Sequence, residues 1–240
     1  KLPHRTMIDK KTHWNTGGVS VTGFSHLENG IPCQDAYTLA VTANGMFVAA
    51  VADGAGSARL SHFGSTAFAE AVISTLQSYP ADKILSDEEY IRCRVISAIE
   101  LAKEQLLMDF PRVFTETEYG MISIPTTIRD FHSTLVAVIA DGTGGAFIHV
   151  GDGVGTAFPI TNLTASIVSK PENGEYSNET FFVTQDDWED HLRITPFPQD
   201  YNSIFLMSDG VSGMAMTKGC EEPFEKFMRP LVNFICDNVR

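Results

Sequence analysis

The stretch "MFVAAVADGAGS", Met46–Ser57, decides how this chain is read. Seven apolar residues run without a break into Asp53, and Gly54, Ala55, Gly56 and Ser57 follow. A short unbroken apolar run marks a central strand covered on both faces. Here that strand delivers a carboxylate at its end, into a turn almost free of side chains.

The surrounding sequence extends the pattern. Gly18–Phe24 and Tyr37–Thr42 are rich in Val, Thr and aromatics and are predicted strands. From Gly64 to Tyr79, Phe68, Ala71, Val72, Thr75 and Leu76 recur at helical steps, and Pro80 closes the segment. A second helix is predicted from about Asp87 to Phe110, with Ile91, Val95, Ile99, Ala102, Leu106 and Met108 as its apolar side and Pro111 behind it. Val113–Asp130 has no clear period and holds Gly120 and Pro125, so it reads as a loop.

In the second half, "STLVAVIA" and "AFIHVGDG" are separated only by "DGTGG". A parallel crossover needs about a dozen residues, so these two strands form an antiparallel hairpin. "GTAFPI" is expected to extend the meander. Ser169–Asp200 is polar, and its acidic cluster Asp186, Asp187, Glu189 and Asp190 reads as a solvated face. "SIFLMSDG" is a further strand. Pro223–Val239 is helical, with Phe224, Phe227, Met228, Leu231, Phe234 and Ile235 forming a core-facing stripe. No repeat or linker interrupts residues 1–240. The expected fold is one α+β domain, with antiparallel sheets grouped together and helices outside them.

Composition narrows the function. The 240-residue chain is 43% hydrophobic and 20% charged, enough to bury a sizeable core. Its net charge of −13 argues against binding nucleic acid or an anionic membrane. Cys33, Cys93, Cys220 and Cys236 show no C-x-x-C spacing and read as free thiols of a reducing compartment. No apolar run approaches the ~18 residues that span a bilayer. The basic start "KLPHRTMIDKKTHW" lacks the apolar centre of a secretory signal. A cytoplasmic location follows as the expectation.

Asp-Gly follows an apolar strand four times, at Asp53, Asp141, Asp152 and Asp209. The dipeptide is a favoured turn, and for Asp141, inside the hairpin, a turn is a full account. Asp53 and Asp209 have no paired strand directly behind them. Carboxylates at the ends of separate central strands can converge at one sheet edge, where like charges resist ionising unless a cation joins them. The donors are carboxylates and backbone carbonyls, without His or Cys pairs, and hard oxygen donors select magnesium, manganese or calcium. Two such ions about 3.5–4 Å apart can bind a phosphate ester and activate a shared water.

With "GIPCQDA", "VADGAGS", "STLVAVIADGTGGAFIHVGDG" and "SIFLMSDG" in this order, the chain resembles the metal-dependent type 2C serine/threonine protein phosphatases, in particular a compact bacterial branch. The resemblance implies two antiparallel sheets flanked by helices, a four-layer αββα sandwich with two Mg2+ or Mn2+ ions at one end. It implies that Asp53 bridges both ions, that the Gly54 carbonyl and Asp209 are ligands, and that Asp35 holds water beside them. It places a third, weaker ion at Asp152. Asp35 and Asp53 are thereby the catalytic pair, the substrate is a phosphorylated protein, and the enzyme acts as a monomer.

Three positions depart from the family pattern. Where members often carry a phosphate-gripping Arg, this chain has Gly30, and Arg59 or His26 is left to bind the phosphate. Where many place a His as general acid, it has Ala55. The final metal-binding Asp has only Asp237 as counterpart, at a helix end with no strand behind it. The domain is therefore expected to lack its last strand. These departures also sustain an alternative: a catalytically weak relative that binds phosphoproteins as a regulatory module. A two-metal nuclease is disfavoured by the negative charge and the lack of a basic patch.

Overall fold

The computed structural model describes residues 13–80, 87–118, 120–174 and 180–238. In chain order, α1 (Phe24–Glu28) precedes the hairpin β1 (Asp35–Val41) and β2 (Phe47–Asp53). Helices α2 (Ser61–Gln77) and α3 (Glu88–Asp109) follow, then a small hairpin of β3 (Arg112–Thr117) and β4 (Gly120–Pro125). Next come β5 (Leu135–Asp141), β6 (Gly144–Val150), β7 (Val154–Phe158), β8 (Ile167–Ser169), β9 (Arg193–Pro198) and β10 (Ser203–Met207). The chain ends in α4 (Asp209–Ala215) and α5 (Glu225–Asn238). The predicted end of the last helix at Val239 lies outside the described residues, as does most of the basic N-terminal stretch.

The strands form a five-stranded antiparallel sheet, β1-β2-β5-β6-β9, and a three-stranded one, β10-β7-β8. Period-2 alternation assigns their faces. Val48, Ala50, Ala52, Leu135, Ala137, Ile139 and Ile148 pack under α2 and α3. Ala49, Val138, Ala140, Phe147 and Ala157 meet Ile204 and Leu206 between the sheets. Val154, Phe158 and Met207 face Met228 and Val232 of α5. This is the expected αββα layering.

Local chemistry fixes the helices around the core. The Asp87 side chain caps α3 by accepting from the Tyr90 amide at 3.1 Å, a contact typically worth about 1 kcal/mol. In α2, a Cβ on Gly64 would lie 2.3 Å from the Phe131 carbonyl, so this glycine lets the helix press against the 3-10 turn Ile128–Phe131.

Four expectations need correction. Residues 18–23 are not a strand: Val19 and Val21 are exposed, and the segment is held through the Tyr37 hydroxyl, which donates to the Gly18 carbonyl at 2.8 Å. β-branched residues without a ladder partner do not make a strand. Val113–Asp130 is not a loop; it holds most of the β3–β4 hairpin, whose period is hidden because Phe114 and Met121 are both exposed. "GTAFPI" leaves the meander and starts the second sheet as β7. The polar Ser169–Asp200 segment supplies β9, which takes the place beside β6. Pro196 and Pro198 disguise β9, and they are tolerated because it is an edge strand.

Candidate metal centre

Asp35 and Asp53 stand directly opposite each other in the β1–β2 register. Antiparallel partners share a face, with Cβ atoms about 4.5–5.5 Å apart. The shared face is the inter-sheet one, because Leu39 and Ala49 on the same strands lie between the sheets. Both carboxyls therefore emerge at the rim of the sandwich. Asp209 reaches the same rim as the first residue of α4, directly after β10 and the buried Ser208.

The sequence makes room here and holds the backbone. A Cβ on Gly54 would sit 2.7 Å from the Gln34 carbonyl and 2.8 Å from the Ser61 carbonyl, so no side chain fits. The Asp53 amide donates to Thr134 Oγ1 at 3.1 Å, and the Thr134 amide returns a bond to the Asp53 carbonyl at 2.9 Å. The Ala55 amide donates to the His132 carbonyl at 2.9 Å. Ser208 Oγ donates to Asp35 Oδ2 at 3.2 Å, tying the two sheets together at the site.

The electrostatics are those of crowded carboxyls. Burial, followed by the charge and hydrogen bonding of Asp35 and then of Asp209, pushes the Asp53 carboxyl up from 3.8 to about 9. Asp152 is also raised, by burial first and the Asp209 charge second. Its turn is a corner rather than a hairpin. Gly151, at φ +104°, packs against Thr134 and carries the chain from β6 in one sheet to β7 in the other. Asp141 is spent differently: its Oδ1 accepts from the Thr143 amide at 2.6 Å within the two-residue β5–β6 turn.

The structure thus brings Asp53, with the Gly54 backbone behind it, against Asp35 and Asp209, and sets Asp152 near Asp209. It does not gather the two phosphate-gripping candidates. Arg59 is exposed beside Asp130 at 4.0 Å, and His26 sits in the last turn of α1. Gly30, where an Arg was expected, has φ +65°, a conformation that suits glycine. Asp237 is exposed on α5, as the helix-end reading required. The acidic cluster at 186–190 surrounds a 3-10 turn with all four carboxylate residues exposed.

Thr134, Ser208 and Gln34 escaped the sequence reading. Their one signal was adjacency: Ser208 and Gln34 each precede a site aspartate, and Thr134 directly precedes β5, the neighbour of β2. A separate cavity of about 320 Å3 opens along the flank between β1–β2 and β10, and none of the four aspartates lines it. Among the described residues no three His, Cys, Asp or Glu side chains form a ready-made metal cage. The donor set nonetheless suits a hard divalent cation: oxygen donors only, with one carboxyl retaining the proton that a cation would displace.

Comparison with known proteins gives the family. The family model described as Protein phosphatase 2C matches residues 22–239. The chain belongs to that family. Serine/threonine-protein phosphatase 3 of Escherichia coli (strain K12) is 26% identical over 231 residues, covering 92% of this chain and 82% of the relative. The crystal structure of the serine/threonine phosphatase Stp1 from Staphylococcus aureus has the same fold, with a TM-score of 0.53 at 12% identity, over 86% of this chain and 84% of that one. The expected family and the expected fold both stand, and the chain is a protein phosphatase of the 2C type. None of the described helices is long and apolar enough to cross a membrane.

Proposed function

We propose that this chain hydrolyses phosphoserine and phosphothreonine in proteins with the help of two Mg2+ or Mn2+ ions. The reading rests above all on Asp53, a carboxyl pushed up to about 9 by burial and by two neighbouring carboxyls at the rim of the sandwich. Asp53 would bridge the ions, with the Gly54 carbonyl and Asp209 as further ligands. Asp152 would hold a third, weaker ion. When bound, the ions supply an activated water and neutralise charge on the leaving oxygen.

The remaining work falls to the chain. Asp35 would accept a hydrogen bond from the attacking water, while Ser208 Oγ donates to its Oδ2 and orients the carboxylate. In-line attack on phosphorus needs no covalent intermediate, and the small residues Gly54–Ser57 leave room for the phosphate. Ala55 cannot protonate the leaving oxygen, so that proton comes from solvent. Arg59 is the stronger phosphate-binding candidate of the two, because its loop begins at Asp53. We read residues 1–240 as one phosphatase domain, a monomer that acts on phosphoproteins in the cytoplasm, where its four free thiols persist.

The second reading, a phosphoprotein-binding module with weak turnover, draws support from Gly30, Ala55 and the exposed Asp237. One experiment separates them: p-nitrophenyl phosphate hydrolysis with manganese, with EDTA, and by Asp53→Asn. Manganese-dependent turnover that the substitution abolishes supports the enzyme. Manganese binding without turnover supports the module.

A further inference from the structure

Gln34 is buried, although it neighbours an aspartate of the site. Its side chain turns away from the carboxyls and into the loop behind them. Nε2 donates to Ser61 Oγ at 2.7 Å and to the Ala55 carbonyl at 3.3 Å. The Ala55 carbonyl can only accept, so the amide nitrogen must face it. The Gln34 main-chain carbonyl accepts from the Gly54 amide at 3.1 Å and from Ser65 Oγ at 2.6 Å.

One residue therefore grips the loop on both sides of a single peptide. The plane before Gly54 is held through its N–H, and the plane after Ala55 is held through its C=O. Between them, the Gly54–Ala55 plane is held through the Ala55 N–H on His132. With three successive planes fixed, the direction of the Gly54 carbonyl is fixed as well. Among the described residues no donor uses that carbonyl. Buried carbonyls normally have a partner, so this one is left for a ligand.

We propose that Gln34 is a positioning residue that keeps the Gly54 carbonyl presented to the divalent cation at Asp53. The proposal rests on the two-metal reading above. Supporting contacts around a metal's ligands commonly change affinity by about 10–100-fold when removed.

The test uses the full chain, stripped with EDTA and titrated with Mn2+ by calorimetry, in Gln34→Glu, Gln34→Met and Ser61→Ala. Gln34→Glu keeps the shape but sets an acceptor against the Ala55 carbonyl. Gln34→Met removes the donor without adding an ionisable group, so weakening shared by both variants is traced to the lost grip. Both Gln34 variants should bind Mn2+ about tenfold more weakly. The manganese concentration for half-maximal p-nitrophenyl phosphate turnover should rise in step, with KM at saturating manganese unchanged. Ser61→Ala removes the other partner of Nε2 while leaving the Ala55 contact, and should stay within about twofold of the unsubstituted protein. Unchanged affinity in both Gln34 variants overturns the proposal, as does an equal loss in Ser61→Ala, which would mark a packing effect under α2. Absence of manganese binding and turnover in the unsubstituted protein would instead overturn the two-metal reading, and this inference with it.

Discussion

Asp35 and Asp53 form a directly opposed carboxyl pair across β1 and β2, at the one end of the sandwich that Asp209 also reaches. Like charges placed opposite each other in a sheet are destabilising. The arrangement stores repulsion that a proton or a cation must relieve, and its measurable consequences follow from that.

Asp53→Ala removes the most strongly perturbed member of the group. The metal-free protein should melt at the same temperature or higher, since a buried, crowded carboxyl is lost. Manganese binding by calorimetry and turnover of p-nitrophenyl phosphate should both disappear. Turnover near the unsubstituted level would show that the chemistry lies elsewhere.

The pH dependence of stability has a definite sign. Without a cation, Asp53 keeps its proton up to about pH 9, whereas the unfolded chain releases it near 3.8. The folded state binds more protons across that window, so its advantage is full below 3.8 and lost as pH rises through about 9. Melting temperature of the EDTA-treated protein should therefore fall as pH rises from neutral to 9, and Asp53→Asn should flatten the slope. Manganese should oppose the fall, with about one proton, that of Asp53, released on binding at pH 7. Titration in buffers of different ionisation enthalpy counts that proton.

Asp141→Asn is the control among the Asp-Gly turns. The Asn oxygen can still accept from the Thr143 amide, so stability should change by less than about 1 kcal/mol in urea unfolding. Turnover should stay within a factor of about two. A hundredfold loss in a folded variant would mean that this turn takes part in the chemistry.

Gly54→Ala tests the tightness of the loop. The new Cβ would meet two backbone carbonyls, at 2.7 and 2.8 Å, and neither belongs to a flexible side chain. Overpacking of this kind costs about 1–3 kcal/mol, readable as a lower midpoint in urea. Manganese affinity should fall as the loop shifts. A variant with unchanged stability and affinity would show that the loop yields easily.

The site was more legible than the scaffold that supports it. Asp53 and Asp209 could be found because each ends an apolar strand and precedes glycine, a local pattern. The sheet partition was harder, because it turns on Gly151: one glycine at positive φ sends β7 out of the meander, and "GTAFPI" carries no sign of that. β9 was hidden by Pro196 and Pro198, which local reading counts against a strand although an edge accepts them. The β3–β4 hairpin escaped because its exposed Phe114 and Met121 erase the alternation. Ser208, Thr134 and Gln34 work across 173, 81 and 21 to 27 positions of chain, separations at which no sequence window operates.

The corner at Gly151–Asp152–Gly153 makes the acidic rim a junction between the two sheets. Asp35 and Asp53 ride on the larger sheet, Asp209 follows the last strand of the smaller one, and Asp152 lies on the hinge line between them. Any shift of one sheet relative to the other would therefore change the spacing of these charges. A cation at the rim would act as a cross-brace, and its effect should extend far from the carboxyls. Amide protection along the inter-sheet layer of Ala49, Val138, Phe147 and Leu206 would rise with occupancy, so the breathing of the sandwich reports how full its rim is.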